Sequence, residues 1–153
     1  MFERDLRHRV GDPSHPVIEL DDPPMEALAE IDTQAFDSTW QVGLLGLVDA
    51  IDATPLAVVL AVVDAHRILG FSIVGEMAGI AYLQRLAVSP DHGGRGIGRS
   101  LVRASTRWAG SRGARSMLLN TQPENEAAAA LYADEGFVAL PRTLRVLTLG
   151  RDS

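Results

Sequence analysis

A mixed α+β sheet domain is the fold this sequence predicts. Helical periodicity opens the chain, a β-rich group of antiparallel type fills its middle, and strands alternate with helices after that. The chain is 153 residues long and 46% hydrophobic, enough for one domain with its own core. One domain over residues 1–153 is therefore expected, with residues 1–22 partly loop.

Gly11 to Pro24 contains four prolines and reads as loop, with room for a short strand at Val17–Leu20. Met25, Leu28, Ile31 and Phe36 share one helical face, and Pro23–Pro24 suit the start of that helix. Asp37-Ser38-Thr39 is a turn and cap signal before Trp40. A second helix over Gln41–Ile51 follows, with Val42, Leu45 and Val48 facing inward, weakened by Gly43 and Gly46. Leu56–Val63 is β-rich and reads as a buried strand. Arg67–Val74 and Ala78–Val88 are two further strands joined around Gly75–Gly79. Ser89–Gly94 is a loop. Gly96–Ala109 is a strongly amphipathic helix, with Ile97, Leu101, Ala104 and Trp108 on one stripe and Arg99, Arg103 and Arg107 on another. Ser116–Thr121 is a short strand, Pro123 starts a helix through Tyr132 that Gly136 closes, and Leu144–Leu149 is a last strand.

Composition excludes several chemistries. There is no cysteine, so no disulfide framework, thiolate nucleophile or Cys-ligated metal. All 14 basic residues are arginine, which removes the P-loop lysine and Schiff-base catalysis. His8, His15, His66 and His92 form no H-x-x-x-H pair, so no metal site is expected. Gly70-Phe71-Ser72-Ile73-Val74 fails the nucleophile-elbow pattern at its last position. The longest apolar run, Leu56–Val63, is too short to cross a bilayer, and the charged Met1–Val10 segment is no secretory signal. A cytoplasmic protein with no membrane partner is expected. A net charge of −6 argues against nucleic acid. Within that acidic chain, residues 85–115 carry seven arginines and one acidic residue, Asp91, which suggests an anionic ligand at one place.

The informative stretch is a strand, a glycine loop and a helix: Leu83–Val88, then Gly93-Gly94-Arg95-Gly96-Ile97-Gly98, then the arginine-striped helix. Glycines let main-chain N–H groups turn to one point, and a helix N-terminus adds to that anion nest. A diphosphate suits such a nest; a tight loop beside a solvated basic helix face is the plainer reading. The dinucleotide fingerprint fits poorly, because Arg99 stands where its third glycine belongs.

At these residues the sequence resembles the GNAT acyl-CoA-dependent N-acetyltransferases. That family carries a Q/R-x-x-G-x-G/A loop after its fourth strand, and residues 93–98 match it with Gly93 in place of the first Gln or Arg. A second motif resembles Asn125-x-x-Ala128-x-x-Leu131-Tyr132-x-x-x-Gly136-Phe137, and Leu86-Ala87-Val88-x-Pro90 is similar to the strand entering the loop. The pattern is nearest to the ribosomal-protein alanine N-acetyltransferases. The resemblance covers about Arg67 to Phe137.

The resemblance implies a GNAT-like fold: a mixed, mostly antiparallel sheet, splayed between its fourth and fifth strands and flanked by about four helices. It implies acetyl-CoA or another acyl-CoA as co-substrate and a peptide or small-molecule amine as acceptor, in a monomer or homodimer. The diphosphate would sit on Gly93, Gly94, Arg95, Gly96, Ile97 and Gly98, with Arg99 nearby. The pantetheine arm would pair with Leu86, Ala87 and Val88, and Asn125, Ala128 and Tyr132 would also contact the cofactor. Arg103 and Arg107 read as solvated surface. The amine attacks the thioester directly; the Val88 N–H would stabilise the oxyanion and Tyr132 would protonate the leaving thiolate. The general base stays open. Asn120 stands where some members have Glu; Glu76, Glu124, His66, His92, or water held by Gln84 and Asn120 are the alternatives. Trp40 and Gln84 would meet the acceptor, and the acidic remainder of the chain, Asp32 and Asp37 included, reads as a solubilising surface or else as attraction for a cationic amine. The rival reading is a non-catalytic acyl-CoA-binding sensor or regulatory module.

Overall fold

The computed structural model describes residues 1–121 and 125–140. Pro123, Glu124 and the strand expected at Leu144–Leu149 lie outside them. The elements are β1 (Phe2–Asp5), β2 (Ile18–Glu19), α1 (Met25–Ala35), α2 (Gly43–Asp52), β3 (Leu56–Asp64), β4 (Arg67–Met77), β5 (Ile80–Val88), α3 (Ile97–Ser111), β6 (Ser116–Leu119), α4 (Glu126–Asp134) and β7 (Val138–Ala139). A single 3-10 turn at Pro90–His92 precedes the glycine loop.

The strands form one sheet in the order β2-β3-β4-β5-β6-β1-β7. Every pairing is antiparallel except β5 with β6. The β4–β5 hairpin turns through Ala78 and Gly79, both at positive φ (55° and 83°), the backbone that two-residue hairpin loops need. One face of the sheet packs on α1 and α2 around Leu28, Leu47, Phe71 and Ile73. The other packs on α3 and α4 around Leu83, Ile97, Leu101, Met117 and Tyr132. Each large side chain buried in this way contributes about 2 kcal/mol.

Two features of the sheet make the site. First, the parallel pairing of β5 with β6 runs only from Ile80↔Ser116 to Leu83↔Leu119. Beyond it the two strands part, leaving β5 from Gln84 to Val88 without a strand on that side among the described residues. Second, β5 carries a bulge: Val74 pairs with Leu83 and Ile73 with Arg85, so Gln84 is extra. A bulge reverses the in–out alternation. Leu83 therefore faces the α3 side, while Ala87, four residues on, faces α1 and α2.

Two expectations are corrected, and one strand is added. In α2 the inward residue is Leu47, while Leu45 is 79% exposed and Val42 and Val48 are also exposed. The helix starts at Gly43, and its sheet-facing stripe runs through Leu47, Ala50 and Ile51. The N-terminus, expected to be only partly loop, carries a strand the sequence pattern did not mark: β1 lies between β6 and β7, pairing with both. Its charged sequence hides it, because Arg4 is buried as a cap, donating to the Glu135 carbonyl at the end of α4. Last, Arg103 and Arg107 are not free surface, since α3 lies against an N-terminal arm (below).

Candidate active site

Where β5 and β6 part, a cavity of about 450 Å³ opens. Gln84, Leu86, Ala87 and Val88 line it from β5, Asn120 and Thr121 from the end of β6, Gly98 from α3, and Asn125, Ala128, Leu131 and Tyr132 from α4. Ala35, Phe36 and Trp40 close it from the α1–α2 connection. Ten of the site residues expected from sequence thus meet in one place, brought there by strand divergence. Gly93, Gly94, Arg95, Gly96, Ile97 and Arg99 are not in the lining; they form the loop and first turn beside it.

That loop has the backbone an anion nest needs. Gly94 and Gly96 have φ of +76° and +82°, the left-handed region. Gly93 does not: its φ is −65°, ordinary for any residue. Gly96 is the N-cap of α3, and no side chain caps the helix, so its first-turn N–H groups have no side-chain acceptor. Ile97 itself is 1% exposed and belongs to the core. A Cβ on Gly98 would stand 3.5 Å from Leu131 and 3.7 Å from Val88, inside the cleft.

Tyr132 is held between the rings of Phe2 and Phe137, at centroid distances of 6.0 and 5.8 Å. It is 6% exposed, and its hydroxyl has no hydrogen-bond partner among the described residues. Burial pushes its phenol up to about 12, with a small opposing pull from the Arg85 charge. Asn125 Oδ1 caps α4 by accepting from the Ala128 N–H at 3.0 Å, so this side chain shapes the helix end as well as the cavity.

Arg85 is the residue the sequence reading missed. Its Nε donates to Asp32 Oδ1 at 2.7 Å and its Nη2 to the Trp40 carbonyl at 2.8 Å. Its guanidinium lies 3.9 Å from the Phe36 ring centroid. Asp32 is fully buried, and its other oxygen accepts from the Val42 N–H at 3.0 Å. The pair ties α1, the Trp40 turn and β5 together. The only sequence signal was the bulge, which no residue pattern announces.

Of the base candidates, Glu76, His66 and His92 are not in the cavity, Gln84 and Asn120 line it, and Glu124 lies outside the described residues. Glu76 Oε2 accepts from the Gly79 N–H in the hairpin, and His66 and His92 line a different cavity. Among the described residues the lining holds no carboxylate and no histidine. The arginine block is also largely compensated. Arg99 donates to Glu135 at 2.7 Å and to Asp134 at 3.3 Å, Arg103 donates to Glu135 at 2.8 Å, and Arg107 pairs with Asp12. The Arg99 guanidinium, expected near phosphate, is shared here by two carboxylates. Burial would raise the Glu135 carboxyl, but hydrogen bonds from Arg103 and then Arg99 bring it below its ordinary value. The Arg95 side chain makes no ion pair among the described residues. No group of three or more candidate metal ligands occurs among them either.

The model of the acetyltransferase (GNAT) family matches residues 25–137. Among curated relatives, the chain is 34% identical over 74 residues to the uncharacterized N-acetyltransferase YobR of Bacillus subtilis, covering 48% of this chain and 30% of that protein. It is 33% identical over 90 residues to N-alpha-acetyltransferase 30 of Schizosaccharomyces pombe, covering 59% and 55%. The chain thus matches about half, or less, of these relatives' length. Among solved structures, the ribosomal-protein-S18-alanine N-acetyltransferase of Escherichia coli superposes with a TM-score of 0.73 at 21% identity, covering 82% of this chain and 79% of that one. The PaiA N-acetyltransferase of Thermoplasma acidophilum in complex with coenzyme A gives 0.70 at 17% identity, covering 82% and 90%. These two likenesses establish the fold.

Proposed function

The chain belongs to the GNAT acetyltransferase family, and from that premise we propose that it moves an acetyl group from acetyl-CoA to a primary amine by direct attack. The observation that carries this reading is the open cleft between β5 and β6, with Tyr132 inside and a glycine-led, uncapped helix at its end.

The residues fit an acyl-CoA. The unpaired edge of β5 from Gln84 to Val88 offers main-chain groups to the amides of a pantetheine arm. The absent side chain at Gly98 leaves room between Val88 and Leu131. Main-chain N–H groups from Gly94 to Gly98, with the Arg95 side chain, would hold the diphosphate. Bound there, the thioester supplies an activated acyl carbon. The Val88 N–H would steady the negative charge on its oxygen. The Tyr132 hydroxyl, fully protonated at neutral pH, donates a hydrogen bond to the departing sulfur. Its raised pKa makes complete proton transfer to a thiolate of pKa ~8.5 uphill by about 3.5 units, so hydrogen bonding carries much of its role.

Asn120, Gln84 and Thr121 can hold water that takes the amine's proton. A lining with no carboxylate or histidine among the described residues suits an acceptor already partly neutral. An α-amine of pKa ~8 is about 20% neutral at pH 7.4, a lysine amine only about 0.1%. The lining has no carboxylate among the described residues, and its one cation, Arg85, is neutralised by Asp32, so the lining offers a polycationic acceptor no counter-charge. A peptide N-terminus or a small α-amine is the acceptor class this supports. Thiol release from acetyl-CoA with a panel of peptides, amino acids, polyamines and aminoglycosides tests it. Release with α-amine acceptors is expected, at least tenfold slower in Tyr132→Phe. The lack of a carboxylate or histidine in the lining among the described residues favours one second reading, a domain that binds acyl-CoA without turning it over; binding with no release for any amine would establish that reading instead. One domain over residues 1–153 is part of the same proposal.

A further inference from the structure

Between β1 and β2 the chain runs as an arm over α3, and it ends on the glycine loop. Asp12 takes hydrogen bonds from Arg103, at its carbonyl (2.9 Å), and from Arg107, at its carboxylate. Ser14 Oγ lies 3.2 Å from Ser100 Oγ, and the His15 N–H donates to the same hydroxyl at 3.1 Å. Ser100 is 1% exposed, in the first turn of α3. Thus anchored, the His15 ring reaches the loop: Nε2 lies 2.7 Å from the Arg95 carbonyl oxygen. A carbonyl only accepts, so Nε2 carries the hydrogen.

We propose that His15 is a positioning residue of the diphosphate site, holding the Arg95–Gly96 peptide in the orientation that presents its N–H to the ligand. The peptide is trans, so its C=O and N–H point in opposite directions. Fixing the carbonyl toward the arm turns the Gly96 N–H away from it. The loop cannot fix this orientation alone. The plane of this peptide is set by ψ of Arg95 and φ of Gly96, and glycine takes positive and negative φ about equally well. Rotation of that peptide plane would aim a carbonyl oxygen, not a hydrogen, at the anion. The donor from His15 selects one of the two orientations before the ligand arrives. Sequence reading left His15 without a role, since 80 residues separate it from Arg95.

This inference rests on the acyl-CoA reading above, and its test separates the two. In His15→Ala, the KM for acetyl-CoA should rise about fivefold while kcat and the acceptor KM stay within twofold. His15→Gln, whose Nε2 donates at a similar reach, should restore it. With S-acetylpantetheine, which has the thioester arm but no diphosphate, wild type and His15→Ala should be equal. His15 is on the surface, so thermal unfolding should be unchanged. Equal acetyl-CoA affinity in wild type and His15→Ala overturns the inference and leaves the acyl-CoA reading standing. A loss of the same size with S-acetylpantetheine, or no rescue by Gln, also overturns it. Failure of the wild type to bind CoA at millimolar concentration overturns both.

Discussion

At the scale of single residues, Tyr132 and the Asp32–Arg85 pair carry the most consequence. Tyr132 is an acid kept protonated by its surroundings, with its phenol pushed up to about 12 by burial. Tyr132→Phe keeps the ring between Phe2 and Phe137 and removes only the donor. We expect kcat to fall by about 10²-fold and the acetyl-CoA KM to stay within twofold, measured by thiol release. The same shift sets an alkaline limit on stability. The folded pKa lies above the unfolded value near 10, so the stabilisation is complete below pH 10 and is lost as pH rises toward 12. Wild type should lose about 2 kcal/mol between pH 9 and 11.5 that Tyr132→Phe does not lose, read from urea midpoints. With no lysine or cysteine in the chain, few other groups titrate in that window. The Asp32–Arg85 pair behaves differently, because both oxygens of a fully buried carboxylate are committed. Asp32→Ala leaves Arg85 without its counter-charge and should cost about 3 kcal/mol; Asp32→Ala with Arg85→Met should recover much of it. A double-mutant cycle by denaturant unfolding checks this.

At the scale of elements, the glycine loop and the β5 bulge position the chemistry. The two glycines at positive φ and the one at negative φ make different predictions within four residues. Gly96→Ala forces an L-residue to φ +82° and should destabilise by about 1 kcal/mol and raise the acetyl-CoA KM severalfold. Gly93→Gln sits at φ −65°, meets only the Pro90 carbonyl at 3.5 Å, and should leave stability within about 0.5 kcal/mol. Calorimetry and KM measurements separate the two variants. The bulge at Gln84 turns Arg85 toward the α1–α2 face and leaves Leu86 and Val88 packed toward α3. One inserted residue thus turns the two halves of the strand to opposite faces of the sheet.

At the scale of the whole molecule, the charge distribution serves the fold more than the ligand. Glu135, on the turn after α4, takes hydrogen bonds from Arg99 and Arg103, while Asp12 joins the arm to Arg107. Arg99→Ala should lower the melting temperature by a few degrees and leave the acetyl-CoA KM within twofold. Arg95→Ala should raise that KM about threefold and reduce its dependence on salt. Glu135 contributes to acid stability with a definite sign. Its carboxyl is held below the ordinary value, so its stabilisation is present above the unfolded pKa near 4.3 and is lost as pH falls below it. Glu135→Gln should therefore flatten the decline in unfolding midpoint below pH 4.3, followed by circular dichroism.

Local sequence determined the elements and the chemistry they offer. Period-3.6 apolar spacing marked α1 and α3 and β-branched runs marked β3 to β5, because each signal lies within a few neighbouring residues; the Gly94–Gly98 loop with Asn125, Ala128 and Tyr132 marked a candidate site through its resemblance to family motifs. Tertiary structure alone decided the rest. β1 is four charged and apolar residues that pair only once β6 and β7 are in place. Arg85 reaches the acceptor side only through a bulge defined by the partner strand. Arg99 looks like a phosphate ligand until the turn after α4 brings Glu135 against it, and His15 meets Arg95 only across 80 residues of chain. Spacing along a chain fixes what stands on one face of one element. Which charges find each other, and which peptide is held still, depends on contacts between elements that no local pattern contains.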